Sequence, residues 1–279
     1  MARFASYDGT QIGYQTLGDG WPLVCLPGGP GRTVEYFGDL GGLNRSRQLI
    51  MPDTRGTGES ADGSDPLSYR CDRLADDVEA LRSHLGLDRM DLMGHSAAGN
   101  LATLYAAAYP QRVAHLILLT PVLDAVGVAV TDEQWRAALA RRSAEPWYPA
   151  ALAALEKAEA GDESAETLRA YSPFFYGRWD AAARVHVDAG VSERSRPVRD
   201  GFRAEGAFNP PGTRDAVSRL AAPVLIHVGE LDAVAPPETA PAAARLFPAA
   251  TVTVQPGAGH FPWLDDPSFF TASITSFLS

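Results

Sequence analysis

Six short apolar runs, each closed by a glycine or proline turn, constrain the fold of this chain more than any other feature. They are PLVCLPG (22–28), QLIMPD (48–53), MDLMG (90–94), HLILLTP (115–121), PVLIHVGE (223–230) and ATVTVQPG (250–257). The apolar character is continuous rather than alternating, which predicts strands covered on both faces, as in a parallel sheet. Ahead of them, ARFASY and TQIGYQTL flank the turn pair Asp8-Gly9 and read as a β-hairpin. Between the runs the period changes. In 71–86, Leu74, Val78, Leu81 and Leu85 recur at helical spacing and Gly86 supplies the stop. Residues 100–109 form a second helix ending at Pro110, and 268–278 close the chain with another. Strand–helix alternation of this kind places the chain in the α/β class, a mostly parallel sheet flanked by helices.

One stretch interrupts the rhythm. Residues 125–215 hold no buried strand and are rich in Ala, Arg, Glu and aromatics, as in PWYPAALAALEKAEAG and SPFFYGRWDAAARVH. They predict a helical insertion between two core strands. An insertion at the carboxyl edge of a parallel sheet commonly covers the ligand crevice. The expected organisation is therefore a core of 1–124 and 216–279 with a lid of 125–215. The aromatics Trp135, Trp147, Tyr148, Phe174, Phe175, Tyr176 and Trp179 are expected mostly in the lid's own core.

Charge narrows the partners. With 34 acidic and 24 basic residues in 279, the net charge is −10. Nucleic acid or an anionic membrane surface would repel such a chain, so the expected partner is a small molecule or short peptide. The start, MARFASYDGT, has no basic stretch leading into an apolar one, and no apolar run approaches a membrane span. Cys25 and Cys71 make no framework and are read as free thiols in a reducing compartment. A soluble cytoplasmic protein is expected. No cofactor or metal motif is present, and nothing specifies an oligomeric state.

The chemistry is concentrated in MDLMGHSAAGNLATL (90–104). A strand runs into Gly94-His95-Ser96-Ala97-Ala98-Gly99 and out into a helix. A serine exposed at a strand end needs a sharp, strained turn whose neighbours are small, and Gly94, Ala98 and Gly99 meet that demand. The helix starting beside Ser96 aims its amide dipoles at a developing oxyanion. Asp232 follows the strand of 223–230 in a proline-bounded turn, and His260 sits in a Gly-rich loop after the next strand. Both therefore reach the sheet edge that carries Ser96. A serine hydroxyl is inert near neutral pH, so His260 is expected to take its proton. Asp232 would then hold the tautomer and stabilise the imidazolium. The glycines of LPGGPGRT (26–33) let backbone approach a substrate, which assigns the oxyanion hole to the amides of Gly29 and Ala97. PDTRGTGES (52–60) lacks the G-K-[ST] end of a phosphate loop, and Asp53 and Arg55 are expected to brace the loops around the site. His84, His115 and His227 read as structural, and His186 lies in the lid stretch. His95, next to Ser96 along the chain, is expected to point to the opposite face.

Together PGGPG, DTRGTGES, GHSAAG, GELDAVAP and GAGHFP resemble the α/β-hydrolase superfamily and, within it, the proline iminopeptidase family. The resemblance covers 22–125 and 215–279. It implies the α/β-hydrolase fold, the chain order Ser96, Asp232, His260, a lidded pocket, and release of an N-terminal proline or similar residue. That family shows HGGPG and GHSWGG; here Pro27 replaces the histidine and Ala97-Ala98 replace Trp-Gly. It also binds the substrate's amino terminus with lid carboxylates, for which Glu205 in GFRAEGAF is the candidate. Three functions stay open: an aminopeptidase, an esterase or lactonase on the same triad, and a non-catalytic ligand-binding protein. Dehalogenase and epoxide hydrolase chemistry want an aspartate nucleophile, and Ser96 excludes them.

Overall fold

The computed structural model describes residues 1–191 and 195–279. Its centre is an eight-stranded sheet of β1 (Ala2–Ala5), β2 (Gln11–Leu17), β3 (Pro22–Leu26), β4 (Gln48–Pro52), β5 (Met90–His95), β6 (Val113–Leu119), β7 (Val224–Gly229) and β8 (Ala250–Gln255). The spatial order is β1-β2-β4-β3-β5-β6-β7-β8. β2 runs antiparallel to β1 and β4, and every other pairing is parallel. This is the α/β-hydrolase fold expected from the sequence.

The continuous apolar runs have a direct structural cause. Along β3, Val24 and Leu26 enter one core while Leu23 and Cys25 enter another on the opposite face. β6 divides likewise, with Leu116 and Leu118 on one side and Ile117 and Leu119 on the other. Helices α1 (Cys71–His84) and α2 (Ala98–Ala108) cover the first face through Leu74, Val78, Leu81, Leu101 and Tyr105. Cys71 and Cys25 are buried and free, and burial pushes the Cys71 thiol well up. β8 departs from the expectation of two covered faces: Val252 and Val254 are 40% and 42% exposed. It is an edge strand, and its two valines share one uncovered face.

Between β6 and β7 lie α3 (Asp132–Ala140), α4 (Tyr148–Glu159), α5 (Ala165–Tyr171), α6 (Ala181–Val191), α7 (Arg196–Phe202) and α8 (Pro210–Val217), with no strand among the described residues. Trp147, Tyr148 and Phe174 form a small core there with Leu139 and Ala151. Ala233, the neighbour of Asp232, belongs to the same core, so the insertion seats on the loop that follows β7. Val217 at the end of α8 returns to the main core. After β7 come α9 (Ala240–Ala244), α10 (Pro262–Asp265) and α11 (Pro267–Phe277), and Trp263, Phe270 and Ile274 cover the second face of the sheet. No helix among the described residues is long and apolar enough to cross a membrane.

Candidate active site

Ser96 stands one residue beyond β5 with φ +54°, a left-handed conformation that only a tight surrounding structure maintains in a non-glycine residue. Its amide donates to the Leu119 carbonyl (3.0 Å), and its own carbonyl accepts from the Val122 amide (2.9 Å). Small neighbours are compulsory. A Cβ at Gly94 would lie 2.3 Å from the Ala98 carbonyl oxygen, and one at Gly99 would lie 2.7 Å from Pro121 Cβ. Gly28, on the loop after β3, would place a Cβ 2.7 Å from Ser96 Cβ. The turn and that loop are in contact because neither carries bulk.

Two other strand ends converge on the hydroxyl. His260 Nε2 lies 2.8 Å from Ser96 Oγ, and His260 Nδ1 lies 2.8 Å from Asp232 Oδ2. Asp232 is fully buried. Its other oxygen accepts from the amides of Val234 (2.7 Å) and Ala235 (3.1 Å), so the carboxylate cannot turn away from the ring. Because Nδ1 donates to a carboxylate, Nε2 is left as acceptor for the serine proton. The loop carrying His260 is pinned by its amide to the Phe175 carbonyl (2.8 Å) and by its carbonyl to Thr120 Oγ1 (3.2 Å). A hydroxyl so placed can lose its proton as it attacks a carbonyl carbon.

His95 contradicts the expectation that it points away. It lines the same cavity as Ser96, because the left-handed turn at Ser96 ends the strand and its side-chain alternation with it. Its Nε2 donates to the His260 carbonyl (3.0 Å), which leaves Nδ1 to accept from the Tyr36 hydroxyl (2.8 Å). That hydroxyl in turn accepts from the Gly28 amide (2.7 Å). One directed chain thus ties the Gly28–Gly29 loop to the loop of His260 through a neutral imidazole. Burial first, then the neighbouring His260 ring, hold the His95 pKa well below its ordinary value. Asp53 braces the same region, accepting from the amides of Val34 (2.9 Å) and Glu59 (3.2 Å). Arg55 is buried and paired with Asp8 and Asp77.

The cavity has an empty volume of about 770 Å³ with its open mouth counted. Gly29 lines it, and Ala97 lies buried at the start of α2. Tyr171, Phe175 and Tyr176 form its wall from the insertion. Glu205 does not contribute. It is exposed in a turn after α7, its side chain facing solvent, and is not among the lining residues. Glu193, another acidic residue of the stretch, lies outside the described residues. No carboxylate lines the cavity among the described residues; the permanently charged side chain there is Arg32. Arg32 and Tyr36 were not singled out by the sequence, where Arg32 has only its place directly after PGGPG as a signal and Tyr36, four residues farther on, has none. Among the described residues no group of three or more His, Cys, Asp or Glu could hold a metal ion.

His186 joins the insertion to the core. Its Nε2 donates to the Tyr36 carbonyl (2.9 Å), and its Nδ1 accepts from the Tyr176 hydroxyl (2.6 Å). Burial, then the Arg32 charge, lower its pKa to about 4. Since the folded value lies below that of the unfolded chain, this imidazole's contribution is present above about pH 6.5 and is lost as pH falls towards 4. The stability advantage of wild type over His186→Phe should therefore shrink between pH 7 and pH 5 by on the order of 2 kcal/mol. Urea midpoints at the two pH values measure it, and a constant gap would show that the imidazole is not held neutral.

The chain is similar to known proteins in sequence and in fold. The alpha/beta hydrolase fold family is matched over residues 22–267. A proline iminopeptidase of Clostridium botulinum is 32% identical over 235 residues, covering 80% of this chain and 78% of that one. One from Heyndrickxia coagulans is 23% identical over 285 residues, covering 99% and 98%. Among solved structures, a thermophilic esterase from Thermogutta terrifontis superposes with a TM-score of 0.73 at 25% identity, covering 99% of this chain and 97% of that one.

Proposed function

The chain belongs to the alpha/beta hydrolase fold family, where it resembles the proline iminopeptidases, and on that premise we propose a serine hydrolase that cleaves small carboxylic esters. Ser96 Oγ attacks the ester carbonyl carbon while its proton passes to His260 Nε2, and Asp232 steadies the imidazolium. Charge collects on the carbonyl oxygen, which the amides of Gly29 and Ala97 receive. The C–O bond then breaks, and His260 gives its proton to the departing alcohol. Water repeats the sequence on the acyl-enzyme, so acid is released and Ser96 is restored. The Gly28–Tyr36–His95 chain would position this machinery by holding the oxyanion loop against the His260 loop. The helices between β6 and β7 act as the lid, with Tyr171, Phe175 and Tyr176 shielding the acyl group from water.

The observation that carries the ester reading is the lining of the cavity. An aminopeptidase must bind a protonated amine, for which a carboxylate is the physical means. Among the described residues that line the cavity there is no carboxylate. The second reading, an iminopeptidase, is favoured by the names of the relatives. A panel separates them: p-nitrophenyl acetate, a δ-lactone, prolyl-β-naphthylamide and its N-acetyl derivative. The uncharged esters should exceed prolyl-β-naphthylamide in kcat/KM by on the order of 100-fold, because an ammonium taken out of water without a carboxylate partner is costly. Faster cleavage of prolyl-β-naphthylamide, with its N-acetyl derivative refused, would overturn the ester reading.

A further inference from the structure

We propose that Val234 sets the length of acyl chain the site accepts, by closing the cavity of Ser96 against a second, apolar hollow beside it. The inference takes its substrate, an ester, from the reading above and narrows the acyl group. The hollow has an empty volume of about 300 Å³ with its open side counted, and Pro121, Val122, Leu123, Val128 and Val130 are among its walls. Val234 is the one described residue that lines both spaces. The hollow stands close to the nucleophile. The Val122 amide donates to the Ser96 carbonyl (2.9 Å), and a Cβ at Gly99 would lie 2.7 Å from Pro121 Cβ. An acyl group bonded to Ser96 Oγ is thus attached to the turn that the hollow's own wall supports.

The partition is anchored along its backbone. The Val234 amide donates to Asp232 Oδ1 (2.7 Å), and the Ala235 amide donates to the same oxygen (3.1 Å). On the other side, Ala233 is packed into the insertion's small core with Leu139 and Phe174. A backbone held in this way keeps the side chain where it is, and a β-branched side chain has few rotamers to adopt. The two methyl groups of Val234 therefore act as a wall rather than a flap. The polar groups around the hollow are already engaged. Asp124 Oδ2 accepts from Arg203 Nε (3.0 Å), and the Thr239 hydroxyl donates to the Pro236 carbonyl (2.8 Å). What the hollow offers a ligand is branched aliphatic surface, which suits a saturated hydrocarbon chain leaving water.

The p-nitrophenyl esters of butanoate, hexanoate and octanoate read the limit. Wild type should cleave octanoate no faster than butanoate in kcat/KM. Val234→Ala should raise the octanoate-to-butanoate ratio by on the order of 10- to 100-fold, as for several more methylenes removed from water. Val234→Phe should lower it. Both variants keep the backbone amide on Asp232, and circular dichroism checks that they fold. Octyl acetate against butyl acetate, which carries the chain on the alcohol, should show no such change. Four results overturn this inference alone: wild type preferring octanoate, an unchanged ratio in folded Val234→Ala, a gain that ends at hexanoate, or a gain seen only with the alkyl acetates. Labelling of Ser96 by p-nitrophenyl alkylphosphonates with butyl and octyl chains repeats the comparison without turnover. If no ester is cleaved while that labelling ratio rises in Val234→Ala, the ester reading falls and the limit set by Val234 stands for whatever acyl group Ser96 takes.

Discussion

Ser96→Ala is expected to lower p-nitrophenyl acetate turnover by on the order of 10⁶-fold while leaving the protein folded. The magnitude follows from the division of labour. Without Oγ there is nothing for His260 Nε2 to activate, and the 2.8 Å contact between them disappears. What remains is the oxyanion donors acting on water, which accounts for a residual rate. The fold should persist because alanine suits the surroundings: the turn is held by backbone bonds from Ser96 to Leu119 and Val122, which the substitution keeps. Circular dichroism and a thermal melt check the fold. An active-site-directed phosphonate should label Ser96 in the wild type and nothing in the variant. Retained turnover in the variant, or a label on another residue, would remove Ser96 from its role.

Asp232→Asn is the second large effect, on the order of 10⁴-fold in kcat. The carboxylate accepts from His260 Nδ1 through Oδ2 and from two amides through Oδ1. An asparagine would keep its carbonyl oxygen on the two amides, since an NH₂ cannot accept from them. Its NH₂ would then face Nδ1, forcing that nitrogen to become the acceptor and moving the ring proton to Nε2. Nε2 would point a proton at Ser96 instead of a lone pair. The fall should lessen at alkaline pH, where hydroxide can stand in for the misplaced base. A loss of less than about tenfold would make Asp232 a turn-capping residue and leave another group to orient His260.

Much of this site is legible in the chain because it is built where local rules are strong. Each apolar run of 22–28, 90–94, 115–121 and 223–230 becomes a strand because residues facing both ways find a covering layer. Gly94, Ala98 and Gly99 around Ser96 announce a turn that admits no bulk, and the overlap distances explain why. Asp232 and His260 were readable because residues shortly after parallel strands must emerge at one edge of the sheet. Where the rules stop, the expectations fail. Strand alternation assigns His95 to the far face, yet the chain leaves the strand at Ser96 and brings the His95 ring into the cavity. Glu205 is the candidate for the lid carboxylate that the family resemblance implies, and a residue's charge does not say which side of a turn faces inward.

The sequence by itself determined the class of fold, the order of its strands and helices, and the three residues that meet at one sheet edge. These follow from periodicity, from turn stereochemistry and from the geometry of parallel sheets, all of which act over a few residues. Tertiary structure alone decided the character of the cavity. Arg32 enters it because Gly190, far along the chain, leaves space beside it, and Tyr36 holds the Gly28 amide because His95 fixes its hydroxyl. Phe174 lies in the insertion's core while its neighbours Phe175 and Tyr176 line the site. Such choices depend on which distant surfaces touch, and packing between remote segments leaves no periodic trace in the segments themselves.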